Sequence, residues 1–218
     1  MTPPLAALEG IGVRLGDIQI LRRVDLRVEA GEAVGLFGAN GSGKTTLLRV
    51  LATLLPPTQG SGLILGADLS TEGLTEVRPR IGLIGHLPAT YPELTLQENM
   101  ELVARLAGLD RDQALEALEV VGLGAARRRR GSQCSNGMLR RAEFARMLLV
   151  EPDLLLLDEA HVGLDRAAVE LVGLLVKEVI NRGGSAVLAS HESERASAIV
   201  GRWVELIDGT LTELRDVP

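Results

Sequence analysis

Hydrophobic positions in this chain follow two patterns that change along its length. Residues 5–28 alternate between apolar and polar, which predicts antiparallel strands joined by a turn at Gly16 and Asp17. Residues 33–37, 153–157 and 184–189 are almost continuously apolar, which is typical of strands covered on both faces of a parallel sheet. The pattern therefore predicts an antiparallel β region and a mainly parallel sheet.

A different part of the chain is patterned as helix. The segment Thr95-Leu96-Gln97-Glu98 has the spacing of a capping box, and Asp110 opens a second segment of the same kind. A third helix is predicted over about residues 139–150. A fourth, over residues 166–182, separates the last two apolar runs. Asp208-Gly209 predicts a closing hairpin.

Composition limits the possible functions. The chain has 218 residues, 46% of them hydrophobic, and a net charge of −6. This is enough for one sizeable core, and the acidic balance argues against a nucleic-acid surface. The first residues lack the pattern of a signal peptide, and no stretch approaches the roughly 18 apolar residues of a membrane span. We therefore expect a soluble, cytoplasmic protein.

Two local features stand apart from this picture. Four consecutive arginines occupy positions 127–130, where they form either a solvated loop or a contact for phosphate or an acidic partner. The single cysteine, Cys134, excludes an internal disulfide and is expected to be a small buried apolar residue.

The strongest chemical motif follows the apolar strand at 33–37. It reads G-x-x-x-x-G-K-T and leads into a predicted helix, the arrangement of a loop that cradles phosphates with backbone N–H groups. The alternative is a glycine-rich turn with a chance lysine, but strand, loop and helix are all in place. The motif predicts a nucleoside triphosphate ligand, with Lys44 on the β- and γ-phosphates and Thr45 on Mg²⁺. The predicted nucleotide-binding residues here are Gly38, Asn40, Gly41, Ser42, Gly43, Lys44, Thr45 and Thr46.

These elements together predict the fold class. It is α/β, with a P-loop NTPase core built on a mainly parallel sheet, an N-terminal antiparallel β subdomain and an inserted α-helical subdomain. We expect a single domain over residues 1–218. Its core would comprise about 1–86 and 151–218, and its helical subdomain about 87–150.

Candidate catalytic residues lie at the ends of the central strands. Asp158 and Glu159 follow four leucines, which places two carboxylates at the carboxyl edge of the sheet. We expect Asp158 to hold Mg²⁺ through its water shell and Glu159 to polarise the water that attacks the γ-phosphate. His191 ends the next strand and would point at the γ-phosphate. Acidic residues that merely end a strand, and a structural histidine, are the alternatives.

A second helix start bears serine and glycine, at Ser135 to Met138. Ser135 either caps the helix or offers its hydroxyl and the neighbouring amides to a phosphate. Because the chain already has one phosphate loop, a second anion site makes sense if it completes the site of another copy. This predicts a head-to-tail dimer that encloses two nucleotides.

The order of these motifs resembles that of ATP-binding cassette (ABC) transporter ATPases, and the resemblance covers nearly the whole chain. The motifs correspond to Walker A, signature, Walker B, D-loop and switch histidine. The resemblance implies that ATP hydrolysis with Mg²⁺ drives a membrane-spanning partner, which docks near residues 86–105. It implies trans-acting signature residues and a D-loop aspartate that communicates across the dimer. The residues concerned are Ser135, Asn136, Gly137, Met138 and Asp165.

Several positions depart from the family pattern. His86 stands where glutamine is usual, and we expect it near the metal site if its imidazole is neutral. The signature reads Cys-Ser-Asn-Gly-Met, so the backbone at Asn136 must tolerate a side chain. Ala160 replaces a usual proline. Leu15 stands where an aromatic residue usually stacks on adenine, which would weaken binding by about 1 kcal/mol.

Some sequence features of this chain resemble those of one subgroup of the family, the ATPase subunits of the cytochrome c maturation (haem) exporter. The features that carry this resemblance are Gly85-His86 followed by the segment Tyr91 to Asn99, the signature Ser-x-Gly-Met and the pair Arg140-Arg141. The resemblance implies a subunit held at the inner face of the cell membrane by its partner. We expect no direct haem binding, because no Cys-x-x-Cys-His motif is present. His86, His161 and His191 are better assigned to the nucleotide site.

Other functions share the same catalytic residues. A drug or lipid exporter ATPase differs only in its membrane partner. A non-transport ABC module generally has two cassettes or long insertions, and this chain has neither. A GTPase would need Asn-Lys-x-Asp, which is absent, and a P-loop kinase would not need the helix start at Ser135.

Overall fold

The computed structural model describes residues 3–71, 73–160, 166–191 and 199–214, with the backbone alone for 166–168. These residues form two compact units. The core unit takes the described residues within 1–83, 152–160 and 176–218, and the helical unit takes those within 84–151 and 161–175.

The strands in chain order are as follows: β1 (Ala6–Leu15), β2 (Ile18–Val28), β3 (Ala33–Phe37), β4 (Gln59–Ile64), β5 (Ala67–Asp68), β6 (Ile81–Ile84), β7 (Leu154–Asp158), β8 (Ser185–Ser190), β9 (Arg202–Ile207) and β10 (Thr210–Leu214). The helices are α1 (Lys44–Leu51), α2 (Leu74–Val77), α3 (Leu96–Ala107), α4 (Arg111–Val120), α5 (Asn136–Val150) and α6 (Arg166–Asn181).

Two sheets carry the fold. The first has the order β2-β1-β4-β5, and its strand pairs are antiparallel. The second has the order β10-β9-β3-β8-β7-β6, in which β3 pairs in parallel with both β8 and β9, and β7 pairs in parallel with β8. The predicted α/β class, with an antiparallel subdomain beside a mainly parallel sheet, is confirmed.

The central strands are buried because their side chains are apolar on both faces. All residues of β7 and β8 are buried, as the continuous apolar runs predicted. On β3, Gly35 leaves room for the ring of Trp203 on β9: a Cβ at Gly35 would lie 2.3 Å from Trp203 Cε3. The absence of a side chain at Gly35 therefore lets a buried tryptophan cover the strand.

The helical unit begins its helices with the predicted caps. The Thr95 hydroxyl accepts from the Glu98 N–H at 3.1 Å, and the Glu98 carboxylate accepts from the Thr95 N–H at 2.8 Å. Asp110 and Gln113 form the second capping box. Asn99 is buried, and its side-chain amide donates to the carbonyls of Tyr91, Leu94 and Thr95. These bonds fix the loop that precedes α3.

Several local predictions were wrong. Helix α5 begins at Asn136, three residues before the predicted start, because Ser135 caps it. The segment 58–85 contains the strands β4, β5 and β6, with the short helix α2 between β5 and β6. Cys134 is partly exposed, and partial burial raises the pKa of its thiol. Within the described residues, every helix is too short or too polar to cross a lipid bilayer.

Candidate functional site

The glycine-rich loop joins β3 to the N-terminus of α1. Gly38 has φ 154° and Gly43, the N-cap of α1, has φ 108°. A Cβ at Gly38 would lie 2.6 Å from the Leu206 carbonyl oxygen, which no side chain tolerates. Gly41 has φ 83°, in the region that favours glycine. The loop conformation therefore depends on these glycines.

Two side chains of this loop suit an anion. Lys44 is 6% exposed, and its ammonium group donates to the carbonyls of Gly38 at 2.6 Å and Ala39 at 3.1 Å. The Ser42 hydroxyl is buried and lacks a hydrogen-bond partner among the described residues. A buried hydroxyl of this kind is costly unless a ligand satisfies it. The loop therefore fits a bound phosphate group.

The structure brings Thr45 and Asp158 together at the edge of the parallel sheet. The Thr45 hydroxyl donates to Asp158 Oδ2 at 2.8 Å, and Asp158 is 5% exposed at the end of β7. A hydroxyl and a carboxylate are oxygen ligands of the kind that Mg²⁺ uses, together with water and substrate phosphates. Within the described part of the chain, no cluster of three or more His, Cys, Asp or Glu residues forms a separate metal site. The pair therefore fits a Mg²⁺ ion that a nucleotide brings with it.

Glu159 is held between a lysine and a histidine. Its Oε2 lies 2.8 Å from His191 Nδ1, and its Oε1 lies 3.7 Å from Lys44 Nζ. Since a carboxylate only accepts, His191 Nδ1 carries the hydrogen in this contact. Oε1 is buried without a hydrogen-bond partner among the described residues. The free acceptor lies beside the lysine of the phosphate loop, where it can accept from a water molecule.

The backbone of Glu159 is unusual and could not be foreseen. Its φ is 52°, in the left-handed region, although it is not glycine. Its N–H donates to the Ala189 carbonyl at 3.1 Å, which extends the contact between β7 and β8 by one residue. This pairing holds the strained residue in place, at the sheet edge that also carries His191.

Other predicted residues of the core unit lie at its surface. Asn40 is exposed at the tip of the loop, and Thr46 is half-buried on α1. Leu15, at the end of β1, is 48% exposed and pairs across the hairpin with Ile18, which is 66% exposed. Ile18 was not predicted from the sequence. The sequence did contain a signal for this exposed apolar pair, because Leu15 and Ile18 directly flank the predicted turn at Gly16 and Asp17.

The predicted signature residues and His86 belong to the helical unit. The Ser135 hydroxyl accepts from the Met138 N–H at 3.3 Å, so Ser135 is the N-cap of α5. Asn136 and Gly137 are exposed at the start of α5, and neither has a positive φ. The backbone therefore accepts asparagine in place of glycine at 136. His86 is exposed just after β6, while Asp165 and His161 lie outside the described residues.

Comparison with known proteins identifies related sequences along most of the chain. Residues 21–162 match the family model described as ABC transporter. The cytochrome c biogenesis ATP-binding export protein CcmA of Dechloromonas aromatica is 37% identical over 202 residues, which is 92% of this chain and 94% of that protein. The daunorubicin resistance ATP-binding protein DrrA3 of Streptomyces coeruleorubidus is also 37% identical, over 99% of this chain and 71% of that protein.

Solved structures show the same fold. A dimeric ATP-binding cassette in a post-hydrolysis state, bound to ADP and Pi, is 28% identical and covers 97% of this chain with a TM-score of 0.85. The ATP-binding subunit of an ABC transporter is 27% identical, covers 96% of this chain and has a TM-score of 0.87.

Proposed function

This chain belongs to the ABC transporter family as an ATP-binding subunit with ATPase activity, and we propose that it powers export by a membrane-spanning partner of the cytochrome c maturation type. The assignment of the catalytic residues rests on one observation, the cluster that Glu159 forms with Lys44 of the glycine-rich loop and with His191.

Phosphate binding rests on the loop between β3 and α1. Its N–H groups, the Lys44 ammonium and the Ser42 hydroxyl bind the phosphate oxygens of ATP, aided by the positive end of α1. Thr45 and Asp158 would hold Mg²⁺, which would supply positive charge to neutralise the phosphates. Leu15 and Ile18 offer an apolar contact to the base.

Hydrolysis depends on Glu159. Its Oε1 accepts a hydrogen bond from the attacking water and polarises it, while the Nδ1–H of His191 holds the other carboxylate oxygen and so fixes the direction of the group. The Lys44 ammonium lies 3.7 Å from Oε1 of the same carboxylate. Glu159 is thus the general base, and His191 its positioning residue.

The complete site requires a second copy. Ser135, Asn136, Gly137 and Met138 begin α5 with exposed backbone N–H groups, and they act in trans on the nucleotide of the other protomer in a head-to-tail dimer. The dimeric state of the similar cassette bound to ADP and Pi supports this arrangement. Asp165 communicates between the two sites of this dimer.

The membrane partner distinguishes the proposed haem-exporter ATPase from the second candidate, a drug-exporter ATPase. Similarity to the CcmA protein along nearly its whole length supports the haem-exporter type. The equal identity to a drug-resistance protein supports a drug exporter as the second candidate. In both cases the partner docks near residues 86–105 and keeps the subunit at the inner face of the membrane, and haem itself does not bind this chain.

The catalytic proposal is tested with Glu159→Gln. We expect ATP binding to persist and the turnover number to fall by about a hundredfold or more, because an amide cannot accept the proton of the attacking water. Phosphate release and nucleotide binding are measured on the purified chain, with Glu9→Gln, at an exposed position of the core unit, as the matched control. Normal turnover in Glu159→Gln would exclude the assigned base.

The choice of pathway is tested with the same variant. The tagged Glu159→Gln chain is isolated from its native membranes with Mg-ATP, and the proteins that accompany it are identified by mass spectrometry. Small cytochrome-maturation membrane subunits are expected. A drug-type permease would instead establish the second candidate, and exclusively soluble partners would favour a non-transport module.

A further inference from the structure

The four-arginine loop is fastened to the start of α3 by its backbone. The carbonyls of Arg127 and Arg129 accept from the first-turn N–H groups of Gln97 and Leu96, each at 2.9 Å. Thr95 forms an isolated β-bridge with Arg130. The loop carbonyls thus cap the helix, and the chain at 127–130 is held in place.

The same segment is also bonded to the loop that precedes α3. The Gly131 N–H donates to the Leu94 carbonyl and the Ser132 N–H to the Pro92 carbonyl, both at 2.9 Å. A Cβ at Gly131 would lie 2.9 Å from the Tyr91 carbonyl oxygen, so the two loops are in direct contact. Tyr91 itself is 60% exposed. The arginine loop therefore lies beside the loop that carries the exposed Tyr91.

The charges of this loop are only partly neutralised within the chain. Arg127 pairs with Glu119 at 3.7 Å, and among the described residues it is the one arginine of the four in an ion pair. Arg128, Arg129 and Arg130 are exposed; Arg129 Nη1 lies 3.9 Å from the Met138 sulfur. Arg130 is close enough to Glu98 to help lower the pKa of that carboxyl, after the larger effect of the Thr95 hydrogen bonds.

We propose that Arg128, Arg129, Arg130 and Tyr91, hereafter the arginine surface, bind an acidic cytoplasmic segment of the membrane partner. This inference rests on the proposed function, since it names the chemistry of the partner segment that docks beside residues 86–105. Guanidinium groups bind carboxylates in a bidentate way, and Arg and Tyr are enriched at interface centres. A backbone fixed by hydrogen bonds presents them with little ordering cost.

An acidic protein segment fits better than an anionic bilayer. The chain has a net charge of −6, which opposes its approach to the extended negative surface of an anionic bilayer. A short acidic segment, in contrast, meets only the local cluster of three cations. The backbone bonds of 127–132 do not use the side chains, so these can be exchanged without removing the caps of α3.

The test is charge reversal in the full-length chain. Arg128→Glu combined with Arg130→Glu is compared with Arg22→Glu combined with Arg23→Glu, the same charge change at exposed positions of the core unit. Binding is titrated on native membranes stripped of their own peripheral ATPase. We expect the first variant to bind at least about tenfold more weakly and the control to bind as the parent does. Equal affinity of the parent and the first variant would overturn the proposal.

Cross-linking identifies the occupant and separates it from lipid. A photoreactive amino acid at position 128 is expected to label an Asp- or Glu-rich cytoplasmic segment of an integral membrane protein, and Lys substitutions in that segment should restore binding of the charge-reversed chain. Labelling of a second copy alone would overturn the proposal. So would an equal loss of affinity for protein-free vesicles of phosphatidylethanolamine and phosphatidylglycerol.

Basal ATP hydrolysis by each isolated chain is measured in parallel. If the charge-reversed chain no longer binds the membranes but still hydrolyses ATP, the loss of binding is due to the arginine surface. A parent chain that hydrolyses no ATP would instead count against the proposed function, whatever the arginines bind.

Discussion

Glu159 combines a strained backbone with an unsatisfied carboxylate oxygen. A left-handed conformation at a non-glycine residue costs about 1–2 kcal/mol, and the φ of Glu159 is 52°. Such strain is kept only where the surrounding structure imposes it. Here the bond to the Ala189 carbonyl and the contact with His191 impose it. The strain directs the side chain toward Lys44 instead of continuing the strand.

The contact between His191 and Glu159 predicts the effect of His191→Ala on turnover. With its Nδ1–H removed, the Glu159 carboxylate loses the donor at 2.8 Å that fixes its direction. The turnover number is expected to fall about tenfold to a hundredfold, because a misdirected base keeps part of its effect. Steady-state phosphate release measures the fall, and nucleotide affinity should stay near that of the parent. An unchanged turnover number would show that Glu159 needs no positioning by His191.

Several residues predicted for the core-unit site lie together in the structure, although their conformation was not predicted and their roles stay predictions. Lys44, Thr45 and Asp158 were predictable, because motif spacing fixes the loop and the carboxyl ends of parallel strands meet at one sheet edge. The φ of Glu159 was not, since it depends on a contact with Ala189 on another strand. Asn136 replaces a glycine of the family signature, but it begins α5 without a positive φ, so the backbone does not require glycine there.

The packing of β3 against β9 depends on the absence of a side chain at Gly35. We predict that Gly35→Ala destabilises the fold by about 1–3 kcal/mol, because the new methyl group overlaps the Trp203 ring. Urea unfolding gives the free energy. Gly85→Ala is the matched control, because a Cβ there meets no atom within 4 Å and its φ is not positive. Equal stability of the two variants would mean that the ring moves aside without cost.

The cap of α3 gives a prediction about pH. Hydrogen bonds from Thr95 hold the pKa of the Glu98 carboxyl below its ordinary value of 4.5. A lowered folded-state pKa contributes stability above the unfolded-state pKa, and this contribution is lost as pH falls through the folded-state value. Glu98→Gln should therefore be less stable than the parent at pH 7, and the gap should narrow below about pH 4.5.

Thr95→Ala serves as the companion variant. It removes the hydroxyl that accepts from the Glu98 N–H and should cost about 1 kcal/mol at pH 7. Urea unfolding at pH 7 and pH 4 compares both variants with the parent. A gap between parent and Glu98→Gln that is the same at both pH values would contradict the assignment of the pH effect to this carboxyl.

Local sequence signals predicted where helices and strands lie better than they predicted which segments contact each other. The capping boxes at Thr95 and Asp110 were readable because each lies within four residues. The start of α5 was missed because Asn136 and Gly137 are poor helix formers, and the cap at Ser135 outweighed them. The pairing of the arginine loop with α3 joins backbone groups about 30 residues apart in sequence, and backbone groups leave no mark on residue choice.

The proposed head-to-tail dimer predicts complementation between two inactive chains. Lys44→Ala removes a phosphate ligand, and Gly137→Asp places a negative charge where the phosphate of the other copy would bind. The aspartate fits the fold, since a Cβ at Gly137 meets only the Ser135 hydroxyl at 4.0 Å. A mixed dimer then contains one site with both halves intact.

Mixing the two variants in equal amounts should restore about a quarter of the parent ATPase activity if subunits pair at random and sites act independently. Each variant alone is the control and should show almost none. A mixture no more active than its components would argue against composite sites, or would show that one intact site cannot turn over without the other.

The close fit of Trp203 over Gly35 also makes the chain its own fluorescent reporter. Trp203 is the single tryptophan and is 4% exposed in the core unit, whereas the single tyrosine, Tyr91, is 60% exposed in the helical unit. A red shift of the indole emission thus reports solvent entry into the core unit alone, and the phenol signal reports the environment of the helical unit. If the two signals change at different urea concentrations, the units unfold separately, and a single free energy of unfolding would not describe this protein.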